Sequence, residues 1–187
     1  MKRAYVIALS LLATFTQPAF SAPAPLDFLA LPGQSVLQFE ATQNNEATTG
    51  TFSKFDAQIR FHPQALQDSS VVVDVDMASV AAAYYQVPAT LKMEDWFDVA
   101  QFPKARFEAK SFTQADGNRY EAAGRLTIKG ITVPVTLTFV LDDFNDKGAK
   151  AHGEAAVKRL DYRIGWRETD TLKDEVKIHF NIVAVPK

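Results

Sequence analysis

The side chains able to do chemistry are few and scattered. His62, His152 and His179 lie far apart in the chain, and none has a second ligand at the short spacing a protein metal site uses. The sequence contains no cysteine, which removes thiolate catalysis. Asp95 and Asp98 flank Trp96 and invite comparison with an acid–base carboxylate pair. Carboxylates three apart near the end of an element are more often caps or solvated groups. Asp116-Gly117-Asn118 resembles a fragment of a calcium loop, but the other ligands are missing, and a turn is the plainer reading. The chain has neither a Gly-x-Ser-x-Gly elbow nor a glycine-rich phosphate loop closing on Lys-Ser/Thr. Nothing here argues for catalysis, a metal or a cofactor, and the chain reads as a binding protein rather than an enzyme.

What would bind is suggested by the aromatics. Fourteen of the 187 residues are phenylalanine, and aromatics favour strands and apolar cavities. Hydrophobic content of 47% and charged content of 22% are ordinary for a folded domain. A net charge of −2 and a pI near 5.9 give no basic footprint for nucleic acid.

Lys2 and Arg3 precede an apolar run from Ala4 to Phe15, and Ala19-Phe20-Ser21 places small residues at −3 and −1 of a cleavage point. This pattern predicts a secretory signal peptide over residues 1–21, cleaved near Ser21/Ala22, and one domain over 22–187. The run is too short for a stable membrane span of roughly 30 Å. Loss of the two early cations would take the net charge from −2 to −4. A bacterial-type signal makes the periplasm the expected compartment, and without disulfides packing alone must hold the mature chain.

The elements that must position the aromatics show a period of two. Leu37 and Phe39 alternate with Gln38 and Glu40 over 35–42, and Phe55, Ile59 and Phe61 share one side of 50–61 with Phe52 opposite. Val71, Val73, Val75 and Met77 alternate with Asp74 and Asp76. Further strands are expected over 105–114, 119–129, 132–142, 150–160 and 176–185. The most regular stretch is 124–139, where Leu126 and Ile128, then Val133, Val135, Leu137 and Phe139, form one dry face around a glycine-bearing turn. Residues 22–32 read as a flexible start and 43–49 as a polar loop. Residues 81–86 and 89–95 have helical composition broken by Pro88. About eight antiparallel strands joined by hairpins make an all-β up-and-down barrel or a sandwich, and a barrel of that size holds either a small ligand or packed side chains.

Four ordered stretches carry a resemblance. They are Gly50-Thr51-Phe52-Ser53-Lys54-Phe55 with Ile59-Arg60-Phe61; Trp96-Phe97-Asp98 with Phe102-Pro103 and Phe107-Glu108-Ala109; Gly124 through Val135; and Arg159-Leu160-Asp161-Tyr162-Arg163-Ile164-Gly165. Their order and spacing over Gln34 to Pro186 resemble the YceI-like family of periplasmic, lipocalin-like polyisoprenoid-binding proteins. The resemblance implies an extended eight-stranded antiparallel β-barrel with a helical segment over one end. It also implies an enclosed long-chain lipid, an isoprenoid or fatty-acid-like molecule, and no catalytic residues. The chain departs from the family at Tyr84 to Leu91, where many members carry an Arg-Asp-x-His-Leu-like run, and this leaves the identity of the ligand open.

On this reading Phe39, Phe55, Ile59, Phe61, Val73, Val75, Leu126, Ile128, Leu137 and Phe139 line a cavity, and Tyr84, Tyr85, Met93, Trp96 and Phe97 form a lid. Arg163, Trp166 and Arg167 contact a headgroup. The competing expectation is a fully packed barrel that acts through its surface, in envelope stress or with a membrane redox partner. A homodimer is left open.

Overall fold

Alternating apolar and polar side chains cannot bury one face without partners, and here the partners close into a ring. The structure is a computed structural model and describes residues 23–84 and 86–187. The expected leader at 1–21 and the lid candidate Tyr85 lie outside the described residues. The strands are β1 (Leu26–Ala30), β2 (Val36–Gln43), β3 (Glu46–Phe52), β4 (Phe55–Phe61), β5 (Ser70–Asp76), β6 (Val80–Ala82), β7 (Lys104–Gln114), β8 (Arg119–Ile128), β9 (Ile131–Asn145), β10 (Gly148–Lys158) and β11 (Leu172–Pro186), with helix α1 (Gln86–Leu91) between β6 and β7.

Every pairing among them is antiparallel, in the order β1-β4-β5-β7-β8-β9-β10-β11, and β11 returns to β1 through Phe28↔Pro186 and Ala30↔Ala184. This makes a closed eight-stranded barrel. Farther along β11, residues 172–181 pair with β2, which pairs with β3, which pairs with β6. The eleven segments are therefore eight staves, the first three of which (β1–β2, β3–β4 and β5–β6) are each broken once.

The breaks are bonded rather than loose. Ser53 N donates to Ser79 O at 3.3 Å, Lys54 N to Ser79 Oγ at 3.1 Å and Asp76 N to Lys54 O at 3.0 Å, so the second and third breaks brace each other. The first is fastened to β11, where Leu31 N reaches Val183 O at 2.7 Å and Val183 N reaches Ser35 Oγ at 3.1 Å.

Four sequence expectations are corrected. Residues 26–30 of the supposedly flexible start form β1, because Phe28 has a buried site to fill. The loop expected at 43–49 shrinks to Asn44-Asn45. Both have positive φ (51° and 64°), the geometry of a tight hairpin turn, so β2 and β3 run almost to their meeting point. Phe52, expected opposite Phe55, points inward with it, because the break at Ser53-Lys54 shifts the parity. Residues 80–82 pair with β3 as a strand, and the short helix lies at Gln86–Leu91, with Pro88 tolerated in its first turn.

The hairpin at 124–139 forms in the expected register, with Leu126↔Val133 and Gly124↔Val135 paired around Lys129 and Gly130 (φ 54° and 73°).

Aromatics close one end of the ring. Phe61 stands at 5.5 to 6.0 Å, centroid to centroid, from Phe112, Tyr120, Phe139 and Phe144, in edge-on geometry with each. At the other end, α1 and the chain after it supply Leu91, Trp96 and Phe97, and Phe97 meets Phe52 at 6.0 Å. Beside them a 3-10 turn (Arg159–Tyr162) follows β10, and the chain just after it bonds that segment through Gly165 N to Asp95 O at 2.8 Å.

Candidate ligand chamber

A chamber of about 280 Å³ runs through the barrel between these ends, and its wall is almost entirely apolar. Strand parity alone explains most of its lining. Leu37, Phe39 and Ala41 face it from β2, Val71, Val73 and Val75 from β5, and Val176, Ile178, Phe180 and Ile182 from β11. Two β-bulges then re-aim side chains, one at Ala109/Ser111 and one at Lys150/Ala151. The first brings both Phe107 and Phe112 to the wall, and the second accompanies Leu141 and Phe144 doing the same. Odd spacings of that kind defeat a reading by period two.

The structure brings together Phe39, Phe55, Ile59, Phe61, Val73, Val75, Trp96, Phe97, Leu126, Ile128, Leu137 and Phe139 on this wall. It places Tyr84, Met93, Arg163, Trp166 and Arg167 off it. Tyr84 and Met93 are exposed beside α1, and Arg163 is exposed in a left-handed conformation (φ 55°). Arg167 pairs with Asp95 at 3.2 Å and lies over the half-exposed ring of Trp166 at 4.7 Å. Val133 is half-buried without reaching the wall.

Three wall residues with polar side chains are missing from that expectation: Gln38, which is half-buried and also borders an outer cleft, Arg159 and Tyr162. Arg159 is only 3% exposed. Its Nε donates to Lys173 O at 3.0 Å, Nη1 to Ile164 O at 2.8 Å and Gly165 O at 2.6 Å, and Nη2 to Glu168 O at 2.6 Å and Leu172 O at 2.8 Å. All five guanidinium donors thus end on carbonyls of the connection to β11 and of that strand's first two residues. Burial pulls its pKa below the usual arginine value, against the opposing pull of Asp174 and Glu168. The signal was available, since Ala155, Val157 and Arg159 continue one inward parity. A cation at the end of that series passes easily for a solvated one.

Tyr162 is 1% exposed, and its hydroxyl has no hydrogen-bond partner. Burial, with a smaller push from Asp161, raises that hydroxyl to about 12, so it stays a protonated donor at ordinary pH. A buried hydroxyl left bare costs about 1–3 kcal/mol.

The histidines stand apart from the chamber lining. His152 Nδ1 lies 2.8 Å from Asp142 Oδ2 and His179 Nδ1 lies 3.7 Å from Glu154 Oε2, both bordering a second, more open cleft lined by both polar and apolar side chains. His62 packs its ring against Phe144 at 5.3 Å. Among the described residues no three histidine or carboxylate side chains gather as metal ligands.

A closed eight-stranded antiparallel barrel around an apolar chamber is the architecture of the lipocalin-like barrels. The model of the YceI-like domain matches residues 30–184, and the chain belongs to that family. The protein YceI of Salmonella arizonae is 30% identical over 120 residues, and that match spans 62% of this chain and 62% of the relative's length. Burkholderia cenocepacia BcnA superposes with a TM-score of 0.79 at 30% identity, over 83% of this chain and 99% of that one. A polyisoprenoid binding domain from Saccharophagus degradans, implicated in plant cell wall breakdown, superposes with a TM-score of 0.67. At 13% identity, over 87% of this chain and 99% of that one, it speaks for the fold alone.

Proposed function

We propose that this chain is a non-catalytic periplasmic carrier that encloses a long-chain amphiphilic lipid, a polyisoprenoid or a fatty-acid-like chain, in its barrel. The observation that carries the reading is the chamber of about 280 Å³ with its apolar wall, which a fully packed barrel would not contain. Further support comes from the leader-like N-terminus and from the name of the Saccharophagus degradans domain of the same fold.

Energetics set the class of ligand. Each buried CH2 is worth about 0.8 kcal/mol, and association costs on the order of 4–15 kcal/mol. A chain shorter than about ten carbons therefore gains too little to stay bound. An apolar wall grips without directional bonds, so it reads chain length loosely.

Native mass spectrometry of freshly purified mature protein, with lipid extraction, tests the reading. A stoichiometric long-chain species is expected. Empty protein that also refuses a fluorescent lipid would leave the barrel acting through its surface instead. Phe55 lines the wall just past the second break, and Phe55→Arg should abolish uptake while the far-ultraviolet β spectrum persists. Uptake by a folded Phe55→Arg protein would remove Phe55 from the binding wall.

A further inference from the structure

We infer that the Tyr162 hydroxyl anchors the oxygen-bearing end of the bound molecule, so that an amphiphile lies with its polar end at the 3-10 turn and its chain toward the aromatic end. This rests on the carrier reading above and adds a direction and a headgroup chemistry to it. An apolar chamber that accepts a polar end must offer it a hydrogen-bonding partner, because water's partners are lost on entry. Among the described residues, Tyr162 Oη is the one buried side-chain nitrogen or oxygen without a partner, and Tyr162 is part of the chamber lining.

The other buried polar side chains are occupied or lie outside the lining, as Tyr120 does. Ser69 Oγ donates to Ala65 O at 3.1 Å and accepts from His62 N at 3.4 Å, and Ser69 is not part of the lining. Arg159 lies on the same turn as Tyr162, but its five donors are already placed on backbone carbonyls. It has no hydrogen bond left to give. Its charge, three residues away, still favours an electron-rich atom near the turn.

A protonated phenol with nothing to donate to selects an acceptor. The matching terminal groups are an alcohol, carboxyl, amide carbonyl or phosphate oxygen. In the opposite orientation the polar end would stay in water, and the hydroxyl would remain bare in both the free and the bound protein.

The two orientations separate in one experiment on the mature chain and its Tyr162→Phe variant. Farnesol and its matching hydrocarbon, farnesene, each displace the fluorophore N-phenyl-1-naphthylamine from the barrel. The variant is expected to bind farnesol about 3- to 10-fold more weakly, the loss of one ordinary hydrogen bond, and farnesene within about 2-fold of the parent protein. Equal behaviour of the two ligands, whether both weaken or neither does, overturns the inference and leaves the carrier reading standing. A parent protein that binds neither ligand overturns both. The thermal midpoint of Tyr162→Phe should not fall, since the hydroxyl removed has no protein partner. A fall of more than about 5 °C, roughly 1 kcal/mol in a domain of this size, would mean that the hydroxyl is structurally engaged and would also overturn the inference.

Discussion

The residue with the greatest structural reach is Arg159. A buried guanidinium is costly unless its donors are met, and here each one is met by a carbonyl between residues 164 and 173. One side chain thereby folds the whole connection from β10 to β11 against the barrel's end. It also fixes the floor on which Tyr162 sits. Arg159→Met is expected to cost about 3–5 kcal/mol, because five carbonyls lose their donor while the site stays buried. Arg159→Lys should recover little, since an ammonium carries three donors and lacks the planar fork. Urea unfolding measures both variants. A loss below about 1 kcal/mol for Arg159→Met would be in the range of a solvated side chain and would deny it this role. Arg163 and Arg167, the cations expected to contact a headgroup, are exposed. Parity along β10 singles out Arg159 but says nothing of Arg163 and Arg167, which lie past the turn, where the strand's period of two no longer applies.

The staves were legible wherever alternation runs unbroken, and illegible where the backbone breaks step. Around its turn the β8–β9 hairpin follows its pattern except at Val133, which stops short of the wall, and β5 follows it throughout. Phe52 was misread because two residues of kink reset the parity, and Phe144 was unread because a bulge intervenes. The strand β1 carries its signal in Phe28, a single aromatic among leucines, alanines and prolines. Close approach between staves is the other feature the pattern conceals. Gly50 stands opposite Phe39, and Gly153 opposite Phe180. In each pair the ring lies across the glycine, so that an added Cβ would strike Phe39 and come within 2.9 Å of Ala81 O in one case, and would strike Thr138 O and come within 2.6 Å of Phe180 Cζ in the other. Both contacts include backbone, which cannot yield cheaply. Gly50→Ala and Gly153→Ala are each expected to lose about 1–3 kcal/mol by overpacking. A chemical-denaturation midpoint equal to the parent's in either variant would show that the staves can spread.

A closed barrel has to open somewhere to admit a chain, and its two ends differ in what holds them. Around the Phe61 cluster the ring is complete, because β1 pairs with both β4 and β11. At the other end the third stave finishes at β6, and β6 pairs with β3 but not with β7. The gap is spanned by residues 86–102, whose backbone bonds are mostly to near neighbours, such as Phe97 N to Leu91 O at 3.0 Å and Val99 N to Lys92 O at 3.1 Å. Its longer-range ties include Lys129 Nζ to Glu94 O at 2.6 Å, Gly165 N to Asp95 O at 2.8 Å and the exposed Arg167–Asp95 pair. Exposed pairs of that kind contribute at most about 1 kcal/mol. Segments held by local bonds open at lower free energy than ladders in a sheet. Amide hydrogen exchange should therefore be at least about 10-fold faster over 86–102 than over β8 and β9. Farnesol should slow that segment selectively, because Leu91, Trp96 and Phe97 face the chamber from it. Entry past the aromatic cluster would produce the opposite map, with Leu26–Ala30 exchanging fastest and protected on binding. The same measurement therefore decides which end admits the chain, and whether the polar end bound near Tyr162 goes in ahead of the tail or follows it.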